Sequence, residues 1–138
     1  MSESSLNTAP PAVKQFVERF YGLLDGESPQ ASEELTAMFD EEAEFITPVV
    51  TFKGRQDIKV QREQFWTAFP GLKHQPLRVY VSPSSPLDII VVNNFEFTKD
   101  GEKRLSYTAA EFRLVEVNGA RLIKSLQLFM NPAVLGWS

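Results

Sequence analysis

The spacing of apolar residues changes near the middle of the chain, from the period of a helix to the period of a strand. In the first half they recur three and four positions apart, which predicts helices with one buried stripe. In the second half they alternate in four long runs, which predict strands: Leu77 to Ser82, Ile89 to Thr98, Leu105 to Val117 and Leu122 to Met130. Helices followed by consecutive strands predict an α+β fold.

Three helices are predicted before the change of period. The first carries an apolar stripe from Val13 to Leu24 and ends at Gly26. Ser28 and Pro29 supply an N-cap and a first-turn proline for a short second helix. A strand is predicted at 43–47, and a third helix begins near residue 55. The predicted order is therefore helix, helix, strand, helix and four strands.

The turns between the later strands predict how they pair. The segments KDGE and VNGA contain D-G and N-G, which favour the positive backbone angles of tight hairpins. The last three strands should therefore form a meander in a strongly curved antiparallel sheet, with the helices folded over an apolar pocket. We expect 1–11 to be disordered and 12–138 to be a single domain, whose apolar tail NPAVLGWS packs against the rest.

Composition limits the classes of partner. A net charge of −4 opposes binding to nucleic acid, and no run of apolar residues is long enough to span a membrane. The chain has no cysteine, which fits a cytoplasmic location, and its single histidine cannot build a metal site. We expect no cofactor. Eleven phenylalanines are many for 138 residues, and some should line a cavity or an interface.

Five phrases, taken in order and at their spacing, resemble the nuclear transport factor 2-like superfamily, and in particular an uncharacterised, polyketide cyclase-like subgroup of its SnoaL-like branch. They are DEEAEFITP, GRQDI, AFPGLKH, AAEFRL and LQLFMNP, and the resemblance covers about residues 12 to 135. It implies a cone-shaped, cystatin-like fold. The superfamily includes cyclases, steroid isomerases, dehydratases, epoxide hydrolases and transport adaptors, so the resemblance alone does not choose an activity.

The resemblance argues against steroid isomerase chemistry. Those enzymes carry a tyrosine on the first helix, a base before the proline that closes the first strand, and an acid on the penultimate strand. Here these positions are Phe20, Thr47 and Ala110, which supply neither the base nor the acids.

His74 is the one histidine available for the His-dependent chemistry of SnoaL-like cyclases and scytalone dehydratase. Strict alternation along its strand places it with Arg78 and Tyr80, opposite an apolar set that should face inward. We favour a surface histidine at the strand end, and we keep a catalytic role as the alternative.

Alternation and the resemblance together predict the pocket. The candidate catalytic residues are His74, Thr47, Asn93 and Gln127. The candidate ligand-binding residues are Phe20, Phe45, Arg62, Phe65, Phe69, Phe95, Phe97, Phe112 and Phe129. Such an aromatic chamber suits a flat apolar ligand bearing a carbonyl or hydroxyl group. Two alternatives stay open. In the first, the aromatic rings simply fill the interior. In the second, which we favour for Arg62, this residue is a solvated charge rather than a cation over the pocket.

The last strand carries Leu126, Leu128 and Met130 on the face opposite Gln127, which predicts an exposed apolar strip and a homodimer through the outer sheet face. Two functions therefore compete. The first is a small-molecule protein that binds an apolar ligand, either without catalysis or with isomerase, cyclase or hydratase activity. The second is a non-catalytic dimeric interaction module.

Overall fold

The protein, described by a computed structural model over residues 2–69 and 71–131, has an α+β fold in which helices cover one face of a curved mixed sheet. In these residues the helices are α1 (Pro11–Asp25), α2 (Pro29–Ala37) and α3 (Gly54–Ala68). The strands are β1 (Ser2–Ser5), β2 (Phe39–Ile46), β3 (Thr51–Lys53), β4 (Lys73–Val81), β5 (Asp88–Lys99), β6 (Glu102–Val117) and β7 (Ala120–Phe129). The predicted fold class is confirmed.

The sheet order is β1-β4-β5-β6-β7-β2-β3. The pair β2 and β7 is parallel and the other neighbouring pairs are antiparallel, so the long strands form the predicted meander. Its hairpin turns have positive φ at Asp100 (52°) and Gly101 (78°), and at Asn118 (52°) and Gly119 (80°). The D-G and N-G signals therefore predicted both turns correctly.

The helical hairpin of α1 and α2 also follows its sequence signals. The Ser28 hydroxyl oxygen accepts the Ala31 N–H at 3.0 Å, and Pro29 opens α2. The Gly26 N–H donates to the Leu23 carbonyl at 3.2 Å. A Cβ on Gly26 would lie 2.9 Å from the Ala31 Cβ, so the two helices can approach this closely because the residue is glycine.

Two strands were not predicted. Residues 1–11 were expected to be disordered, but β1 pairs with β4. The polar sequence SESS has no apolar pattern that would predict a strand, because this pairing uses main-chain hydrogen bonds. The short β3 pairs with β2 and places Phe52 opposite Phe45. Pro70 and the predicted apolar tail from residue 132 onward lie outside the described residues.

The interior has two clusters of buried apolar side chains. The larger one joins α1 and α2 to the sheet, and Val17, Ala43, Phe112 and Ile123 are completely buried in it. The smaller one contains Phe69, Leu72, Phe95 and Phe97. Within the described ranges, no helix is long and apolar enough to cross a membrane.

Candidate functional site

A chamber of about 90 Å³ lies between the helices and the concave face of the sheet. Its volume is several times the roughly 10–15 Å³ that one water molecule needs. The walls come from α1, α3 and the inward residues of β2 and β4–β7. They are Phe20, Tyr21, Leu24, Phe45, Gln61, Arg62, Phe65, Trp66, Leu72, His74, Asn93, Phe95, Thr108, Ala110, Leu126, Leu128 and Met130. An apolar chamber with a few polar groups is the usual form of a small-molecule site.

His74 and Asp25 form a close polar contact at the chamber wall. His74 Nδ1 lies 2.6 Å from Asp25 Oδ1, and the His74 backbone N–H donates to Asp25 Oδ2 at 2.7 Å. One carboxylate therefore fixes both the main chain and the ring of His74. A shallow surface depression lined by Asp25, Glu27 and Lys73 shares His74 with the chamber, so the pair lies between the chamber and solvent.

The inward position of His74 corrects the prediction from strict alternation. The pairing of β4 with β5 shifts between Pro76 and Arg78, so Leu77 is an extra residue on β4. This bulge reverses the phase and pairs His74 with the inward Phe95, whose ring lies 5.8 Å away between centroids. Pro76 was the sequence signal for the bulge, since a proline within a strand is found at bulges or edges.

Three hydroxyl and amide groups form a polar cluster on the chamber floor. Thr108 Oγ1 donates to Asn93 Oδ1 at 2.8 Å, and the Tyr21 hydroxyl donates to the same oxygen at 3.3 Å. Asn93 Nδ2 donates to the Asn94 carbonyl at 3.2 Å. Burial, and to a smaller extent the nearby Asp25 carboxylate, raises the pKa of Tyr21 far above its ordinary value. Tyr21 is therefore neutral at physiological pH.

Arg62 is a buried cation, which corrects the favoured interpretation of a solvated charge. The residue is 4% exposed, and its Nη2 donates to the Leu23 and Gly26 carbonyls at 2.8 Å each. Its guanidinium carbon lies 3.7 Å from the centre of the Trp66 ring. Burial lowers the pKa of Arg62, and the Glu63 and Asp25 carboxylates oppose that shift. Arg62 therefore caps the C-terminal end of α1 and also lines the chamber.

The predicted phenylalanines divide between the chamber and the core. Phe20, Phe45, Phe65 and Phe95 line the chamber. Phe69 and Phe97 pack together in the smaller cluster, with ring centroids 5.4 Å apart, and Phe112 is fully buried in the larger one. Both alternatives from the sequence therefore hold in part, since some rings surround space and others fill the interior.

Thr47 closes the turn between β2 and β3 and is not among the chamber residues. Its hydroxyl donates to the Val50 carbonyl at 2.7 Å and accepts the N–H groups of Val49 and Val50 at 3.3 and 3.0 Å. All these hydrogen bonds of the hydroxyl are therefore made within the turn itself, as is common for threonine in turns.

The predicted phase of β7 was wrong. Leu126 pairs with Phe112 and Leu128 pairs with Ala110, and directly paired residues share a face, so both leucines point inward. Leu126 is 3% exposed, whereas Phe129 is 49% exposed on the outer face with Gln127. Gln127 and Phe129 therefore do not line the chamber. The proposed strip of Leu126, Leu128 and Met130 is likewise part of the interior, and the exposed apolar side chains of the outer face include Leu105 and Tyr107.

Sequence reasoning missed Tyr21, Asp25 and Trp66. Tyr21 follows Val17 by four positions on the buried stripe of α1, and Asp25 follows Tyr21 by four, so helical spacing was the signal for both. Trp66 stands four positions after Arg62 on α3. Among the residues with described positions, no group of three or more His, Cys, Asp or Glu side chains is placed to hold a metal ion.

No protein-family model and no curated protein matches this sequence. Solved structures do match its fold. An NTF2-like protein of unknown function from Exiguobacterium sp. 255-15 is 19% identical, with a TM-score of 0.71 over 83% of this chain and 97% of the other. A candidate scytalone dehydratase from Novosphingobium aromaticivorans is 24% identical, with a TM-score of 0.67 over 85% of this chain and 80% of the other.

A third similar structure is a hypothetical protein with a ketosteroid isomerase-like fold from Catenulispora acidiphila, in complex with trimethylamine. It is 14% identical, with a TM-score of 0.72 over 94% of this chain and 96% of the other. Identities this low establish a common architecture and carry no assignment of activity. The chain has the nuclear transport factor 2-like fold.

Proposed function

We propose that the chamber binds a small apolar molecule bearing a carbonyl or hydroxyl group, and that His74 transfers a proton to or from it. The observation that carries this proposal is the His74–Asp25 pair at the wall of an apolar chamber. A carboxylate that fixes a histidine ring is a recurring arrangement for general acid–base catalysis.

The hydrogen bond to Asp25 selects the reactive nitrogen. With Nδ1 protonated and donating to Asp25 Oδ1, the lone pair of a neutral ring is on Nε2. No residue in the described part of the chain hydrogen-bonds Nε2. Nε2 would accept a proton from the carbon beside a ligand carbonyl, the electron pair would move to the carbonyl oxygen, and the proton would return to carbon. Isomerisation, cyclisation and hydration can all use such a step.

The apolar wall would make this step selective. Phe20, Phe45, Phe65 and Phe95 would bury the ligand's hydrocarbon part, while Asn93 and Thr108 mark the polar floor. Tyr21 remains neutral beside Asp25, which avoids a second negative charge close to His74. The cavity volume of about 90 Å³ limits the ligand to a small molecule.

Deuterium exchange into β-tetralone tests the proposal, because its carbon acid lies beside a carbonyl and the molecule has two rings. We expect the protein to accelerate exchange in D₂O, followed by proton NMR. His74→Gln should reduce the acceleration by about 10²- to 10⁴-fold, the usual contribution of a general base. Asp25→Asn should reduce it less, because the ring keeps an acceptor but loses the carboxylate charge.

The matched control is Glu27→Gln, which removes a charge from the neighbouring surface depression without touching the chamber. It should exchange β-tetralone at the wild-type rate. Equal exchange by wild type and His74→Gln would contradict the proposed role of His74.

A homodimeric interaction module is the second candidate function. The observation that favours it is the outer sheet face, where Leu105, Tyr107 and Phe129 are 56%, 63% and 49% exposed. Large apolar side chains exposed together often mark an interface between chains. This function does not exclude the first, since the chamber and the outer face lie on opposite sides of the sheet.

A further inference from the structure

Arg62 stands out among the buried polar groups. Among the residues that the structure describes, two buried side-chain nitrogen or oxygen atoms have no hydrogen-bond partner, and both belong to Arg62: Nε and Nη1. A buried donor that leaves water without gaining an acceptor costs roughly 1–3 kcal/mol, and more when the group is charged. Few such atoms are found in native proteins, so each one needs an explanation.

The contacts that Arg62 makes satisfy its Nη2 but do not supply a counterion. The Leu23 and Gly26 carbonyls accept from Nη2, and the Trp66 ring faces the guanidinium. Both oxygens of Asp25 are engaged by His74. Glu63 is exposed, and its carboxylate accepts the Ser32 hydroxyl at 3.2 Å. No described carboxylate forms an ion pair with Arg62.

We propose that the ligand of the chamber carries a carboxylate, and that Arg62 binds it through Nε or Nη1. The inference rests on the proposed function, because it names the substrate class of the same chamber. Arg62 lines the chamber, and a guanidinium remains charged in proteins. A ligand carboxylate would supply both the missing acceptor and the missing negative charge. The apolar walls favour a hydrocarbon body for the rest of the ligand, apart from the carbonyl or hydroxyl group already proposed. The class is therefore a small aromatic or alicyclic carboxylic acid that also bears such a group.

Phenylacetate and phenylacetamide form a matched pair of probes, since they have the same ring and linker and differ in the charge of the polar group. We expect calorimetry to show that wild type binds phenylacetate on the order of 10- to 100-fold more tightly than phenylacetamide. Arg62→Gln should remove that preference. Arg62→Lys should retain part of it, because the charge stays while the geometry changes.

Lys59→Gln is the control, because it removes one positive charge from the same helix at a side chain that pairs with Glu33 outside the chamber. It should leave the preference for phenylacetate unchanged. An equal loss in Lys59→Gln and Arg62→Gln would attribute the preference to net charge and would overturn the role of Arg62. Arg62 also caps α1, so circular dichroism must show that each variant is folded; the comparison of the two probes on wild type needs no variant.

The outcomes separate this inference from the proposed function. Equal affinity of wild type for the two probes overturns carboxylate recognition, while binding of the amide still shows an occupied chamber. If neither probe binds but β-tetralone exchanges its protons through His74, carboxylate recognition is again overturned and the proposed function stands. If neither probe binds and no exchange occurs, both fail.

Discussion

Tyr21 shows how burial changes the chemistry of a single side chain in this protein. Burial and the nearby Asp25 carboxylate raise its pKa, so the folded protein retains the phenol proton at pH values where an unfolded tyrosine loses it. An unfolded tyrosine ionises near pH 10. The stability that the neutral phenol contributes is therefore fully present below about pH 10 and is lost as the pH rises above that value.

We expect Tyr21→Phe to make the unfolding free energy less sensitive to alkaline pH. Each such group contributes a slope of up to about 1.4 kcal/mol per pH unit above its unfolded pKa, and phenylalanine has no proton to lose. Urea unfolding between pH 9 and pH 11 measures the slope for both proteins. Tyr80→Phe is the control at a partly exposed tyrosine outside the proposed dimer contact, and a Tyr21→Phe slope equal to that of wild type would contradict the assignment.

At the scale of elements, sequence reasoning succeeded where a local signal determined the structure. Ser28 and Pro29 specified the start of α2, and the D-G and N-G pairs specified two hairpins, because each depends on neighbours in the chain. Both errors of phase occurred on strands that contain a bulge. On β4 an extra residue at the bulge reversed the alternation, and a bulge depends on pairing with a distant strand.

On β7 Lys124 is an extra residue, so Ile123 and Leu126 are both buried although they are three positions apart, and strict alternation fails between them. Pairing with β6 decides which face points inward by placing Leu126 beside Phe112. The candidate site was affected in the same way. Its phenylalanines were predicted from the local pattern and the resemblance. The position of His74 depends on the bulge, and its partner Asp25 lies on a helix far away in sequence.

Neighbouring substitutions on β7 test this phase. Leu126→Ala should lower the unfolding free energy by about 2–5 kcal/mol, because it leaves a cavity beside Phe112. Gln127→Ala should change it by less than about 1 kcal/mol, because that side chain lies on the outer face. Urea titration measures both values, and the reverse order would mean that β7 presents its other face to the core.

At the scale of the whole molecule, the curved sheet separates two surfaces of different character. The concave face holds the chamber, and the outer face, which is the convex face of the sheet, presents Leu105, Tyr107 and Phe129 to solvent. Leu105, Tyr107 and Ala109 lie two positions apart on β6 and so share this face, and Ala109 pairs with Val92 on β5 and with Phe129 on β7. A second copy of the chain would cover this face through a symmetric contact, in which each residue appears twice.

We therefore expect wild type to be a dimer by light scattering and Tyr107→Glu to be a folded monomer. A glutamate at this position places a charge on each side of the symmetric contact, and both charges must lose water when the faces meet. Val60→Glu is the matched control, because Val60 is 41% exposed on α3 and lies away from the convex face. It should leave the dimer intact. A monomeric wild type, or a dimer that persists in Tyr107→Glu, would remove the outer face from the function of the protein and leave the chamber as the site to pursue.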